Sequence, residues 1–385
     1  MKLPAPVRYI LQTLHTAGYA AYVVGGCVRD RLMGKTPKDW DITTDALPAD
    51  VQRLFLRTVA TGLRHGTVTV LVDTLHGLLS CEVTTFRIDG EYTDGRRPDR
   101  VAFTTTLDAD LARRDFTMNA VAYNEAEGLV DPFGGTEDIR NRIIRCVGEP
   151  TRRFDEDALR MLRAVRFAAQ TGFVAEPATL AAIPPLAPRL GLVSAERIRD
   201  ELTKIVFAPD PSPLLWLADL RVWEVLFPDW PPPSPEVIPE LVRLSALIHD
   251  PAPLYAALFR DAESAVRRLK FDNATIRDCA LYAAWRDVPL PLEAYAFKKA
   301  LGVFGVARFQ KLLLLKNIEG DALLQEVLAS GECYRVADLA VDGHDLLAAG
   351  VPAGVALGDT LARLLEYVLQ NPERNRKADL LSLLF

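Results

Sequence analysis

The sequence predicts an α+β protein, with an α/β head over roughly residues 1–145 followed by a long all-helical remainder. Two observations carry this prediction. Short β-branched and apolar runs recur as far as Tyr123 and then fade, whereas beyond Arg145 apolar residues recur at helical spacing. With 385 residues, the chain is also long enough to build two or more compact units with cores of their own.

In chain order, residues 6–17 have the apolar spacing of a helix and 20–24 that of a short buried strand. Residues 28–33, 48–55 and 107–113 suit helices. Strands are expected at 39–43, 67–72, 78–86 and 118–123. Helices are then expected at 155–170, 195–207, 239–248, 253–259 and 292–301, and over much of the last fifty residues, with turns at Asp342-Gly343 and around Gly350 to Gly354. Proline clusters at 184–185 and 231–233 mark connections.

The composition is 49% hydrophobic and 25% charged, that of an ordinary globular protein. No run of 18 apolar residues is present, and the N-terminus lacks the apolar core of a secretion signal. The five cysteines are scattered without a Cys-x-x-Cys, so they read as reduced core residues and the expected location is cytoplasmic. A net charge of −6 argues against a generic nucleic-acid coat. Eight arginines between Arg140 and Arg166, against four acidic residues, nevertheless make a local basic patch. Its alternative reading is a solvated helical face. His249-Asp250 and His344-Asp345 hint at a metal phosphohydrolase, but five histidines in the whole chain are too few for that site.

The most informative run is Gly25-Gly26-Cys27-Val28-Arg29-Asp30, followed by Asp39-Trp40-Asp41. Glycines at a strand end let backbone N–H groups approach phosphate oxygens, and a helix start adds favourable potential. Residues i and i+2 of a strand share a face, so Asp39 and Asp41 can share Mg²⁺ ions. Glu82, inside an apolar strand, is expensive unless paired or metal-bound; the alternative is an edge-strand glutamate reaching water. In Arg113-Arg114-Asp115-Phe116-Thr117-Met118-Asn119, Arg114 can clamp a phosphate and Asn119 bond a sugar hydroxyl; alternatively an Arg–Asp pair closes a helix–strand junction. On the helix expected from Asp155, its N-cap, Asp157, Arg160, Arg163 and Arg166 recur every three residues. Asp157 beside Arg160 offers an acceptor and donors like a base-pairing edge, suiting cytosine and adenine and repelling uracil and guanine. An ordinary intrahelical ion pair is the plainer reading.

Together these residues resemble the class II tRNA nucleotidyltransferases, the CCA-adding enzymes of the polymerase beta-like superfamily. Five motifs stand in family order: Gly25 to Asp41, Arg113 to Ala120, Asp131-Pro132-Phe133-Gly134-Gly135 to Asp138, Glu156 to Phe167, and Ser194-Ala195-Glu196-Arg197-Ile198 to Leu202. The resemblance implies a catalytic head over 1–145, a nucleotide-selecting neck over 146–208, and tRNA-binding body and tail over 209–330 and 331–385. It implies Mg²⁺ on Asp39 and Asp41, with Glu82 as third carboxylate and Gly26, Arg29 and Arg114 on the nucleotide. Asp157 and Arg160 would be the protein template for CTP and ATP, supported by Arg163 and Arg166 and braced by the Glu196-Arg197 helix. The Asp131 to Asp138 segment resembles a springy element between head and neck. The expected reaction is template-independent addition and repair of the 3′-terminal CCA of tRNA. The family also holds CC-only and A-only enzymes and poly(A) polymerases. The run Arg87 to Pro98 resembles the loop that CC-only enzymes lack, and the chain has no strongly basic C-terminal extension of the poly(A) polymerase kind. An inert RNA-binding relative would not need Asp39, Asp41 and Arg114, nor would a small-molecule nucleotidyltransferase need the arginine stripe.

Overall fold

The computed structural model describes residues 1–74, 77–89 and 101–384. Four consecutive buried residues make β1 (Ala21–Val24) a central strand, and both of its edges are occupied. It pairs antiparallel with β2 (Trp40–Thr44) and β8 (Ala122–Asn124). The remaining sheet strands are β3 (Thr58–Gly62), β4 (Thr67–Thr74), β5 (Gly77–Thr85) and β9 (Gly128–Val130), in the order β3-β4-β5-β2-β1-β8-β9. Only β2 and β5 run parallel within this sheet, which is therefore mixed. A separate ribbon joins β6 (Arg87–Asp89) to β7 (Val101–Phe103).

Period-two alternation divides the head into two faces. Val23, Ile42, Val68 and Val83 point to the face covered by α1 (Ala5–Thr16), through Val7, Ile10, Leu11 and Leu14, and by α3 (Pro48–Leu54). Burying each such aliphatic side chain stabilises the fold by ~1.5–3 kcal/mol. Tyr22, Val24 and Ala122 belong to a second cluster with Phe86, Leu111 and Val147. Because Trp40 and Ile42 go to the first core, Asp41 and Thr43 take the opposite face of β2, as Glu82 does on β5. The same alternation that builds the core thus sets the carboxylates apart from it.

Helices α2 (Gly26–Leu32), α4 (Leu107–Ala112) and α5 (Gly135–Asn141) complete the head. The strand expected at 118–123 is shorter: Thr117–Asn119 form a 3-10 turn and β8 starts only at Ala122. Asp115 accepts from Phe116 N at 2.8 Å and Asn119 Nδ2 at 3.1 Å, and Thr117 Oγ1 donates to Asp138 at 2.6 Å. These bonds replace the extended pairing. Gly135 packs so closely on this turn that a Cβ there would sit 2.1 Å from the Thr117 carbonyl oxygen.

Beyond Arg145 the structure is helical apart from β11 (Val174–Ala175), which pairs parallel with β10 (Ile143–Ile144). The helix expected over 155–170 is two helices, α6 (Pro150–Glu156) and α7 (Leu159–Thr171). Asp157 adopts an extended conformation between them, and its Oδ1 accepts from Leu159 N at 3.1 Å. Asp157, rather than Asp155, therefore stands at the start of the second helix; Asp155 pairs with Arg189. Then follow α8 (Pro177–Ala181), α9 (Ile183–Leu186) and α10 (Ala195–Val206).

The chain divides into two compact units, Met1–Val242 and Arg243–Phe385. Helices dominate the second, with Pro251–Leu258, Ala262–Arg268, Asn273–Arg286 and Gly343–Ala348 each capped by an aspartate: Asp250, Asp261, Asp272 and Asp342. Leu346, Leu364, Val368 and Leu380 form an apolar cluster near its C-terminal end. All five cysteines are free and buried. The resemblance at Arg87 to Pro98 lies, from residue 90 onward, outside the described residues. Among the described residues no helix is long and apolar enough to cross a membrane.

Candidate active site

A cleft of about 650 Å³ opens in the first unit. It is lined by eight arginines and three aspartates, Asp41, Asp115 and Asp157, so its formal balance is strongly cationic. Glycine starts one wall. Gly25, at φ 77, turns the chain from β1 into α2, and a Cβ there would lie 3.1 Å from Arg114 Nη1. A glycine is favoured by both the left-handed backbone and the close arginine. Gly26 opens α2, and one turn on Arg29 donates from Nη1 to Asn119 Oδ1 at 2.9 Å and from Nη2 to Asp30 at 2.7 Å. Gly26, Arg29, Arg114 and Asn119, expected together from four separate positions in the sequence, all line this cleft.

Asp41 and Glu82 are direct partners across the parallel β2–β5 pair, so their side chains leave the same face of the sheet. Asp41 is half-buried, whereas Asp39, just before β2, and Glu82 are exposed. Burial first, then repulsion from Glu82 and Asp39, pushes the Asp41 carboxyl up to about 6, against the pull of Arg114. No side-chain hydrogen bond or ion pair from the described residues reaches any of the three carboxylates. Crowded, unneutralised oxygens of this kind fit a hard divalent cation. No cluster of three or more ligating side chains is assembled among the described residues. Of the three carboxylates, Asp41 lines the cleft, and both Glu82 and Asp39 act on it through their charge.

The next wall is the corner after α4. Buried Asp110 accepts from Nε and Nη2 of Arg113 and from Nη2 of Arg114, aligning two guanidiniums along the cleft. Asp115 accepts from Arg163 Nε at 2.7 Å, from Asn119 and from Phe116 N. Burial would raise the Asp115 carboxyl, but the Arg163 guanidinium and the Asn119 amide outweigh it and hold it well below the usual carboxylate range. The Asp–Arg junction and the cleft-lining corner are thus one construction.

The α6–α7 break supplies the far wall, and here the pairing differs from the expected one. Arg160 pairs with Glu156 at 2.8 Å and donates to the carbonyls of Arg153 and Arg113; it does not pair with Asp157. Asp157 instead accepts from Arg197 Nη2 at 2.8 Å, so the Glu196-Arg197 helix, α10, braces it directly. The break accompanies the exchange: with Asp157 extended, its carboxylate accepts from Leu159 N and Arg197 Nη2, leaving the Arg160 guanidinium to Glu156. Both residues still line the cleft. Arg163 and Arg166 lie one and two turns along α7, and Arg166 Nε is 3.0 Å from Glu201 Oε2 without being aligned as a hydrogen bond. Burial, then repulsion from Arg163, pushes Arg166 down to about 10, still charged at neutral pH.

Sequence reasoning assigned no role to Phe167, Asp110, Arg87 or Arg113's side chain. The Phe167 ring lies within 5.3 Å of the guanidinium carbons of Arg29, Arg163 and Arg166, the nearest at 4.0 Å, and packs edge-on to Phe116. Such a ring holds like charges together by cation–π attraction. A signal for Asp110 was present: Asp110, Arg113 and Arg114 stand at i, i+3 and i+4, the spacing of helical neighbours. Buried donors remain without partners at Arg114 Nε and Arg197 Nη1. Dense arginines with unpartnered donors suit a polyanion, and the unneutralised carboxylates around Asp41 suit a divalent cation.

The poly A polymerase head domain family matches residues 21–145, and a family described as "Probable RNA and SrmB- binding site of polymerase A" matches residues 172–231. The CCA-adding enzyme of Geobacillus kaustophilus is 38% identical over 388 residues, covering 96% of this chain and 93% of the relative. That of Lactobacillus helveticus is 37% identical, with 95% and 93% covered. The crystal structure of the Bacillus stearothermophilus CCA-adding enzyme in complex with CTP superposes with a TM-score of 0.81 at 33% identity, covering 99% of this chain and 98% of that one. With that coverage at both ends of the alignment, this chain belongs to the family of CCA-adding enzymes, the class II tRNA nucleotidyltransferases.

Proposed function

We propose that this enzyme builds and repairs the 3′-terminal CCA of tRNA without a nucleic-acid template, using CTP and ATP and releasing pyrophosphate. The observation that carries this reading is a single cationic cleft lined by both Asp41, on the carboxylate face of the sheet, and Asp157, at the helix break. Asp39 and Asp41 would hold divalent cations, Mg²⁺ being the ordinary companion of a triphosphate, and bound metal supplies charge neutralisation at the reacting phosphate and the leaving pyrophosphate. Arg29 and Arg114 hold phosphates, Asn119 a sugar hydroxyl, and Gly26 keeps the backbone open to approach. Glu82 orients or deprotonates the tRNA 3′-hydroxyl, whose oxygen attacks the α-phosphorus as pyrophosphate departs.

Asp157, held by Arg197, accepts from the exocyclic amino group of cytosine or adenine. The carbonyl of uracil or guanine at that place meets a carboxylate. Arg160, Arg163 and Arg166 keep the nucleotide's surroundings cationic. Residues 1–145 act as catalytic head and 146–208 as selecting neck, while 209–330 and 331–385 bind tRNA through shape and phosphate contacts. CTP, ATP and tRNA as substrates make the cytoplasm the place of action. The test is a tRNA transcript lacking CCA, incubated with Mg²⁺ and CTP, ATP or both, beside a transcript ending in CC. Three additions stopping at CCA support the reading. A single A confined to the CC-ending transcript would identify an A-adding enzyme, and long A tracts a poly(A) polymerase.

A further inference from the structure

Asp110 has no place in the roles above, yet its side chain is wholly buried and both of its oxygens are engaged. Oδ1 accepts from Arg113 Nε at 2.9 Å and Nη2 at 2.7 Å, with Arg87 N at 3.4 Å. Oδ2 accepts from Arg114 Nη2 and from Thr43 Oγ1, both at 3.1 Å. One carboxylate therefore joins β2, the start of β6, α4 and the arginine corner that follows it. A charge removed this far from water is stable only when it is both paired and hydrogen-bonded, and Asp110 is.

The position of Arg114 gives this arrangement its consequence. Thr43 stands two residues after Asp41 on β2, so the strand that anchors Asp110 also carries the cation-seeking carboxylate on the same face. Arg114 acts on both acids. Among the described residues its ion pair is with Asp110, while its charge is also felt at Asp41. Its Nε has no partner, and its Nη1 lies beside Gly25 at the mouth of α2. Through the Arg113 carbonyl, which accepts from Arg160 Nη2 at 2.9 Å, the same corner reaches the wall that carries Asp157.

We propose that Asp110 is a positioning residue for nucleotide binding: its charge holds Arg114 back from Asp41 and turned to the phosphates, leaving the Asp41 carboxylate unpaired. The proposal rests on the reading of the cleft as a nucleoside triphosphate site. In Asp110→Asn the restraining charge is gone, and Arg114 is free to pair with Asp41.

The experiment measures equilibrium binding of CTP, ATP, GTP and UTP to the full chain in excess EDTA, for wild type, Asp110→Asn, Arg114→Ala and the double variant. Asp110→Asn should raise Kd for all four nucleotides by a common factor of about ten, the size of a lost hydrogen bond to a charged group, because the phosphates are common to them. The double variant should bind no more weakly than Arg114→Ala alone, since Asp110 acts through Arg114. Additive losses, or an unchanged Kd in folded Asp110→Asn, overturn the proposal. If Asp110→Asn does not fold, Thr43→Val carries the test. It keeps the shape and removes the hydroxyl, whose proton is shared between Asp110 Oδ2 and the Thr84 carbonyl, and its Kd should rise about threefold and only when Arg114 is present. No rise in folded Thr43→Val overturns the proposal as well. Wild type that binds no nucleotide and extends no tRNA would sink the nucleotide-site reading itself. Wild type that binds, with every Asp110 and Thr43 variant binding equally, sinks this inference alone.

Discussion

Replacing Asp115 with Asn should cost both stability and nucleotide affinity through the same atoms. The Asp115 carboxylate is almost entirely buried and receives Arg163 Nε at 2.7 Å, Asn119 Nδ2 at 3.1 Å and Phe116 N at 2.8 Å. An asparagine keeps one acceptor for Phe116 N but loses the charge opposite Arg163. Breaking a buried ion pair typically costs ~3–5 kcal/mol. The Arg163 side chain retains 32% of its exposure along the cleft and can rehydrate, which reduces the expected loss to ~2–3 kcal/mol. The pH dependence follows from the depressed Asp115 carboxyl. On acidification the unfolded chain takes up this proton first, near the ordinary value of ~3.9, while the folded chain resists. The advantage of wild type over Asp115→Asn is therefore complete at neutral pH and shrinks as pH falls below about 4. Urea unfolding of both proteins between neutral and acid pH measures it, reading the transition of the first unit because two units need not unfold together. Arg163, left facing the amide nitrogen, turns from its place along the cleft, so nucleotide Kd should rise in parallel. A neutral-pH loss below about 0.5 kcal/mol, or an acid limb as steep in the variant as in wild type, refutes the reasoning.

Asp39→Ala should abolish nucleotide incorporation while tRNA affinity, measured by filter binding, stays within about twofold; near-normal rates would remove Asp39 from the metal pair. Asp157→Ala and Arg197→Met should each raise misincorporation of UMP and GMP relative to CMP and AMP in single-nucleotide extension assays, because Arg197 holds the carboxylate proposed to read the base. Unchanged selectivity in both would mean that Asp157 does not read it. Asp272→Ala removes a cap that accepts from the backbone N–H groups of Ala274 and Thr275 in the second unit. It should cost about 1 kcal/mol in denaturant unfolding and leave nucleotide KM unchanged.

The sequence by itself determined α1 to α4 and strands β1, β2, β4 and β5, though not α5 or the α6–α7 break, and which short runs line the cleft. Local patterning encodes both. Short runs of β-branched and apolar residues placed β1, β2, β4 and β5 to within a residue or two. Gly26, Arg29, Asp41, Arg114, Asn119, Asp157, Arg160, Arg163 and Arg166 all line the cleft, and they were legible because glycine turns and charges stand there in short runs. Only the tertiary structure decided how those charges pair. Asp157 has an arginine three residues away, yet pairs with Arg197, forty residues on, because the chain breaks its helix at Asp157 and α10 packs alongside. Arg160 turns to Glu156 for the same reason. The 3-10 turn at Thr117–Asn119, the arginines gathered on Phe167 and the buried hub at Asp110 likewise depend on segments brought together from far apart. With so many arginines near so few acids, spacing alone offers several partners of similar merit. Desolvation and hydrogen-bond geometry, which exist only once the chain is folded, select among them.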